Sequence, residues 1–338
     1  MDRRLGKAGM IYWESPSTDP WFNLALEQVL FEGPGQRESC CMLWRNHNTI
    51  VVGKHQNTLQ EVDMAYVREH GIQVARRLSG GGAVYHDLGN VNFTFVAPHG
   101  GRGMEFAAFC RPVAAALGEL GVAAAVSGRN DMTVDGKKVS GSSQYVKGGR
   151  VMHHGTLLYD SDLTVLGKAL RPSEDKFTSK GLPSVRGRVT NLRPYVREDL
   201  DADGFLIRLR EALLAMYPDM ERSTPTPEEL ERAAELRRTL YGTWAWNFGA
   251  SPPCQIVKKR RVEGCGRLEV HMDVERGGLK ALYFHGDFFS MEEPEELAAG
   301  LLGCPLEEEA LRTRLAGVDV GRYFRGLDRE GLLGILME

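Results

Sequence analysis

The chain has 338 residues, which at about 100–200 residues per domain points to two domains and a core that needs no disulfide or metal staple. Hydrophobic residues at 42% and charged residues at 26% are ordinary globular usage and exclude a disordered or collagen-like chain. Lys and Arg number 42 against 45 Asp and Glu, a formal net charge of -3, so no whole-molecule field draws in a polyanion and no nucleic-acid partner is expected.

Asp19-Pro20 before Trp21, Phe22, Leu26, Val29 and Leu30 reads as an N-cap and first-turn proline opening an amphipathic helix that Gly33-Pro34-Gly35 ends. Thr49-Ile-Val-Val52 and Ile72-Gln-Val-Ala75 are β-branched runs that read as strands, with a helix between them near residues 61–70. Residues 90–96 alternate Val91, Phe93 and Phe95 with Asn92 and Thr94, the pattern of a half-buried strand. Residues 104–120 form an Ala-rich helix that Pro112 is expected to kink or divide. Two hairpins follow, turning at Asp135-Gly136 and Gly148-Gly149. Residues 205–216 and 230–240 are helical by period, and Thr226-Pro227-Glu228-Glu229 fits a capping box. Trp244, Trp246, Asn247, Phe248 and Pro252-Pro253 suggest a stiff linker. The expected division is a domain over 1–245, a linker at about 246–253, and a small α+β domain over 254–338 built on a hairpin at Gly277-Gly278 and two short helices.

No stretch approaches the roughly 18–20 apolar residues of a membrane span. Met1-Asp2-Arg3-Arg4 leads to Glu14, Ser15 and Pro16, with no apolar leader run. A cytoplasmic location, with no membrane partner, is the expectation. The six cysteines lack a C-x-x-C pair and read as small buried hydrophobes.

The 39 glycines exceed the roughly 7% background and need an explanation. Arg76-Arg-Leu-Ser-Gly-Gly-Gly-Ala-Val-Tyr-His-Asp-Leu-Gly-Asn90 lies between two predicted strands. Three glycines remove every Cβ, so backbone N–H groups can face a phosphate, with Arg76 or Arg77 as a charge fork beside it. A bare triple glycine is also a simple turn. The flanking arginines, Ser79 and Tyr85-His86-Asp87 in the same connector favour a ligand loop. In the first hairpin Lys137 and Lys138 point to opposite faces, Lys137 sharing that of Val139, and only one can look into a site; a solvated lysine is the simpler reading from spacing alone. His153 and His154 also point apart and cannot easily chelate one metal. The loop at 177–191, with Lys180, Arg186 and Arg188, suits a flap over an anionic ligand.

Together these segments resemble the lipoate protein ligase A family. Its Arg-Arg-x-Ser-Gly-Gly-Gly-Ala-Val-aromatic-His-Asp-x-Gly-Asn motif stands at 76–90. Its Asn-Asp strand stands at 130–131, its Gly-x-Lys-Val-Ser-Gly hairpin at 136–141, its His-His-Gly-Thr-Leu-Leu strand at 153–158, and its Ser-Lys-Gly loop at 179–191. The resemblance implies an α+β fold: a large domain with a mixed β-sheet flanked by helices, of the biotinyl/lipoyl ligase and class II synthetase type, plus the small α+β domain. It implies ATP-dependent ligation of free lipoate to a lysine of lipoyl domains through lipoyl-AMP, with Mg2+. It carries Lys138 over as the catalytic lysine touching lipoate and phosphate. Arg77, Gly82, Ala83, Val84, Tyr85, Asn130 and Asp131 fall at ATP or adenylate positions, and Gly81, Arg77 and His154 at lipoate positions. Asp131 is the candidate magnesium ligand. The implied acceptors are lipoyl domains of 2-oxoacid dehydrogenase E2 subunits and the glycine-cleavage H protein; a monomer is the simplest expectation for the oligomeric state. The alternative is an ATP-independent octanoyl or lipoyl acyltransferase, which would need a nucleophilic cysteine near the lysine hairpin; residues 127–143 contain none, and Cys110 lies on a predicted helix.

Overall fold

The computed structural model describes residues 10–101, 103–127, 130–170, 188–248, 256–275 and 277–337. Most of the basic loop expected to act as a flap, including Lys180 and Arg186, and the two prolines of the expected linker lie outside the described residues.

The large unit is built on an eight-stranded mixed sheet. Its strands are β1 (Met10–Glu14), β2 (Ser39–Trp44), β6 (Asn90–Pro98), β7 (Ala125–Ser127), β8 (Asp131–Val134), β9 (Lys137–Lys147), β10 (Arg150–Leu158) and β11 (Met220–Arg222), in spatial order β11-β1-β2-β6-β10-β9-β8-β7. β1 runs parallel to β2 and β11, and the other pairs are antiparallel. Beside it lies a small sheet of β3 (Thr49–Val52), β4 (Gln73–Arg76) and β5 (Val84–His86), in order β4-β3-β5.

Local chemistry accounts for most of these elements. Asp135 and Gly136 have φ of 50° and 73°, and Gly148 and Gly149 of 58° and 71°. Both central residues are left-handed in each pair, as tight two-residue hairpins require. Asp19 caps the helix Pro20–Glu32 by accepting from the Trp21 and Phe22 amides. The capping box at Thr226 and Glu229 is formed and opens the helix Pro227–Leu236.

One face of the large sheet buries Val91, Phe93 and Phe95 in a core with Phe109, Val113, Leu117, Leu209 and Leu213, from the helices Phe106–Glu119 and Ala202–Met216. The first of these helices runs undivided through Pro112, contrary to the expected break. The opposite face carries Cys40, Met42, Val96 and Met152 against Leu24, Leu26 and Leu30 of Pro20–Glu32. Asn92 and Thr94 project on this side and are buried too. The strand expected to be half-buried is therefore buried on both faces, and Asn92 on its polar face lines a cavity.

The aromatic stretch after the large unit is packed. Trp244–Phe248 is a short helix whose Asn247 Oδ1 accepts from the Arg76 amide at 2.8 Å, and Trp246 Nε1 donates to the Arg76 carbonyl at 2.9 Å. The C-terminal unit has the antiparallel strands β12 (Ile256–Val262), β13 (Gly266–Glu275) and β14 (Gly278–Gly286), with helices Pro294–Leu301, Glu308–Arg314, Val320–Tyr323 and Arg329–Met337 over its core. It docks on residues 54–61: Lys54 pairs with Glu293, Arg267 with Glu61, His55 stacks on Phe288 at 4.8 Å, and the Gly286 amide donates to the His55 carbonyl at 2.8 Å. Among the described residues no helix is long and apolar enough to cross a membrane.

Candidate active site

A cavity of about 150 Å³ opens between the large sheet, the helix Pro20–Glu32 and the glycine-rich connector. Of the residues singled out from sequence, Arg77, Gly81, Gly82, Ala83, Val84, Asn130, Lys138 and His154 line it together. Tyr85 does not; its hydroxyl donates to Asn48 Oδ1 at 3.0 Å and its ring packs with the core of the small sheet. Asp131 is not among the lining residues; its Oδ1 lies against Lys138 Nζ.

Lys138 reaches the cavity because of the hairpin. Lys137 is exposed and Val139 is buried in the core although alternation would put them on one face, because Val139 is the extra residue of a β-bulge, and it is this bulge that sets the direction of Lys138. The β8–β9 register shifts between Met132 and Thr133, which brings Lys138 opposite Thr133 and Gly141 opposite Asp131. Lys138 Nζ lies 2.7 Å from Asp131 Oδ1, and a Cβ on Gly141 would stand 2.9 Å from that nitrogen. Gly141 thus leaves room for the ammonium. The carbonyl of Lys138 accepts from the Thr190 amide at 2.9 Å, so the far end of the basic loop returns to this residue.

The two arginines divide their work. Arg76 donates to the carbonyls of Trp246, Gly53, Lys54, Gln56 and Asn247 and to Thr58 Oγ1, and is wholly structural. Arg77 donates to the carbonyls of Val51, Gly80 and Gly82 and to Ser79 Oγ, so its fork shapes the glycine loop from within. Burial pushes its guanidinium down to about 10, with Glu27 opposing the shift; it still carries its charge at neutral pH, in a low-dielectric wall where that charge is felt.

The loop itself differs from the open cradle expected. The Gly81 amide donates to the Phe288 carbonyl of the C-terminal unit at 3.1 Å. A Cβ on Gly80 would stand 2.3 Å from that same oxygen, and one on Gly81 2.9 Å from the Phe289 ring, whereas Gly82 meets nothing within 4 Å. Gly80 and Gly81 receive the accessory unit, and only Gly82 presents an open side to the cavity.

The histidines point apart, as alternation requires. His153 is buried on the helical side, stacked on Phe109 at 5.0 Å, and burial holds it well below its ordinary value. His154 faces the cavity in a chain of hydrogen bonds that sequence reasoning missed. Its Nδ1 lies 2.8 Å from Glu27 Oε1 and its Nε2 2.5 Å from Ser79 Oγ. Glu27 also accepts from Thr94 Oγ1 at 2.6 Å, and Thr94 accepts from Trp44 Nε1 at 2.9 Å. Arg77 Nε donates to Ser79 Oγ, leaving the hydroxyl proton for His154 Nε2, so each proton in the chain has an acceptor. Trp44, His86, Asn92, Ser142, Ser143, Thr156 and Phe289 complete the wall. A buried glutamate in an apolar helix was the one sequence signal available for Glu27.

Cys110 Sγ sits 3.3 Å from Ser142 Oγ and 3.8 Å from His153 Nε2, but burial raises the thiol and lowers the imidazole, the reverse of an activated thiolate–imidazolium pair. Among the described residues no group of three or more His, Cys, Asp or Glu could hold a metal ion.

A model of the lipoyl protein ligase A/B catalytic domain matches residues 19–214, and one of the bacterial lipoate protein ligase C-terminus matches residues 251–336. The chain is 35% identical to lipoate-protein ligase LplJ of Bacillus subtilis, over 94% of this chain and 97% of that one. The P. falciparum LipL1 structure in complex with lipoate superposes with a TM-score of 0.77 at 24% identity, covering 97% of this chain and 98% of that one, a likeness of fold. A lipoate-protein ligase A bound with ATP gives 0.59 at 27% identity, covering 72% and 98%. A bipartite Thermoplasma acidophilum ligase, from a study that includes its E2 lipoyl domain, gives 0.61 at 28%, covering 74% and 99%.

Proposed function

The chain belongs to the lipoate-protein ligase family, and on that premise we propose that it joins free lipoate to a lysine of lipoyl domains through lipoyl-AMP. A carboxylate oxygen of lipoate attacks the α-phosphorus of ATP, the bond to the β-phosphate oxygen breaks and pyrophosphate leaves. The amine of the acceptor lysine then attacks the acyl carbon, AMP leaves with the electron pair of the acyl–oxygen bond, and the amine gives up its proton.

The observation that carries this reading is Lys138, an ammonium paired with Asp131 that lines one cavity with a glycine loop braced by a buried arginine. Two anions, a carboxylate and a triphosphate, must be brought together there, so fixed positive charge is the first requirement. Lys138 can follow charge from the phosphate to the acyl oxygen, while Arg77 supplies a stationary field. The backbone of Gly82, Ala83 and Val84 would receive phosphate oxygens, His154 would line the acyl chamber, and Asn130, whose Nδ2 holds the Ser142 carbonyl at 2.7 Å, would fix the mouth near the adenylate. Tyr85 would contribute through its main chain alone.

Magnesium fits this chain poorly as a resident ion. Asp131 Oδ1 is paired with Lys138, and among the described residues Asp131 belongs to no group of three or more His, Cys, Asp or Glu that could hold a metal ion. The ion would arrive on the ATP phosphates, and no step is assigned to Asp131 as its ligand. We take 1–245 as the adenylating domain and 254–338 as the accessory domain; Asn247 ties the start of the connection between them to Arg76. Cys40, Cys41, Cys110 and Cys304 are buried free thiols, which suits a reducing cytoplasm, and the working unit is taken as a monomer. The acceptors are E2 lipoyl domains and the glycine-cleavage H protein.

The test is modification of an apo-lipoyl domain followed by mass spectrometry, with free lipoate as donor, with and without ATP, and with octanoyl carrier protein as the competing donor. Lipoylation and pyrophosphate release are expected only with lipoate and ATP. Acyl transfer from the carrier protein without ATP would overturn the ligase reading.

A further inference from the structure

Two buried donors in the cavity wall have no partner among the described residues. His86 is 3% exposed and Asn92 1%, and both line the cavity. His86 Nδ1 meets Asn46 Nδ2 at 3.1 Å, while Asn46 Oδ1 accepts from Asn23 Nδ2 at 2.9 Å. Asn46 therefore donates to the ring, Nδ1 accepts, and the ring proton sits on Nε2. Burial, aided by Arg77 and His154, pushes His86 down to about 3, so the ring holds one proton at neutral pH. Asn92 Oδ1 accepts from Asn90 Nδ2 at 3.0 Å, which leaves Nδ2 as its free group. Among the described residues neither His86 Nε2 nor Asn92 Nδ2 has a hydrogen-bond partner. A buried donor left unmade costs more than a made bond contributes, so such groups point to an occupant that satisfies them.

Their place in the sheet says which end of an occupant they meet. Asn92 is directly opposite Trp44 in the β2–β6 register, and the Trp44 indole lies edge-on to the His86 ring at 6.1 Å. Lys138 is on β9, two strands along from β6 in the order β6-β10-β9, a span of about 10 Å. That is the reach of an eight-carbon acid, so an acyl chain whose carboxyl is held at Lys138 ends at Trp44, His86 and Asn92. A saturated tail offers a methyl group there. A 1,2-dithiolane ring offers sulfur lone pairs, weak acceptors but the only ones the chain has.

We propose that His86 Nε2–H and Asn92 Nδ2–H are specificity-determining donors that receive the dithiolane sulfurs, so that the cavity prefers lipoate to octanoate. The proposal rests on the ligase reading for its substrate, and its test is kept apart from catalysis. Titration calorimetry of the full chain with lipoate and with octanoate, in the absence of ATP, should give a lower Kd for lipoate. Asn92→Leu and His86→Leu should each shrink the octanoate-to-lipoate Kd ratio about three- to tenfold. His86→Gln keeps an N–H near the same position and should retain most of the ratio. A ratio that the leucine variants leave unchanged, whether or not both affinities fall together, overturns the donor pair. Pyrophosphate release with ATP is scored separately: its absence breaks the adenylation reading, while the Kd ratio still decides the donor pair.

Discussion

The Gly81 amide donates to the carbonyl of Phe288 across 3.1 Å, joining the glycine-rich connector to the accessory domain. The three glycines are therefore not interchangeable. Gly80→Ala would put a Cβ 2.3 Å from the Phe288 oxygen, against backbone that has no rotamer to yield, whereas a Cβ at Gly82 meets nothing within 4 Å. Gly80→Ala should speed hydrogen exchange at the Gly81 and Gly286 amides, both of which donate between the domains, by about tenfold or more as docking loosens. Gly82→Ala should leave both rates near those of the wild type. Equal exchange in the two variants would show that Gly80 is not where the accessory domain is seated.

Lys138 is 39% exposed and its ion pair with Asp131 is half open to solvent, so the pair contributes at most about 1 kcal/mol to stability. Its loss should be felt in chemistry. Lys138→Ala is expected to lower lipoate-dependent pyrophosphate release by about 10²–10³-fold or more, with a melting temperature within a few degrees of the wild type. Normal lipoyl-AMP formation by the variant would remove Lys138 from the reaction.

What could be read from the chain was what is local. The Asp135-Gly136 turn, the Asp19 cap and the Thr226 capping box are satisfied within a few residues, so their signals survive without the fold. β2, by contrast, is Ser-Cys-Cys-Met-Leu-Trp buried along its whole length, and a strand covered on both faces has no alternation to betray it. β6 misled in the opposite way: its regular polar face suggested solvent, but Asn92 lines a cavity and Thr94 is buried between Glu27 and Trp44. The site followed the same divide. Lys138 was singled out by the resemblance and not by spacing, since the bulge that aims it depends on the β8–β9 pairing, while Glu27 meets His154 across 127 positions of sequence, and the seat of Phe288 on Gly80 depends on the C-terminal unit.

Three buried histidines, His55, His86 and His153, and the partly buried His285 shape the response to acid. Burial lowers His86 to about 3 and His285 to about 4, and holds His55 and His153 well below 6.5. Below pH 6.5 the unfolded chain binds protons that the folded chain refuses, so unfolding free energy rises with pH in this window. Stability is nearly complete above about pH 7.5 and falls as pH drops, by about 1.4 kcal/mol at pH 5.5 for each of His86 and His285, with His55 and His153 adding in the same direction. Urea titrations at pH 7.5 and 5.5 should show a clearly lower midpoint in acid, and His86→Gln should narrow the gap by about one histidine's share. An unchanged midpoint would mean that these rings find protons in the folded state.

Glu27 is the counter-charge of the site. At 2% exposure its carboxylate accepts from Thr94 and His154 and is the acidic group that opposes the lowering of Arg77. Glu27→Gln keeps the size and one acceptor but removes the charge, so Arg77 is left buried beside three carbonyls and the Ser79 hydroxyl, and the new amide brings donors next to His154 Nδ1–H. Breaking a buried charge pair from one side costs about 3–5 kcal/mol when nothing replaces it; with Arg77 still holding four oxygen acceptors, about 2–4 kcal/mol is expected in urea unfolding. Because Arg77 and His154 both border the cavity, the same variant should raise the KM for lipoate more than that for ATP. A Glu27→Gln protein within 0.5 kcal/mol of the wild type, with both KM values intact, would show that the carbonyls of Val51, Gly80 and Gly82 suffice to hold Arg77 and that the carboxylate is a bystander.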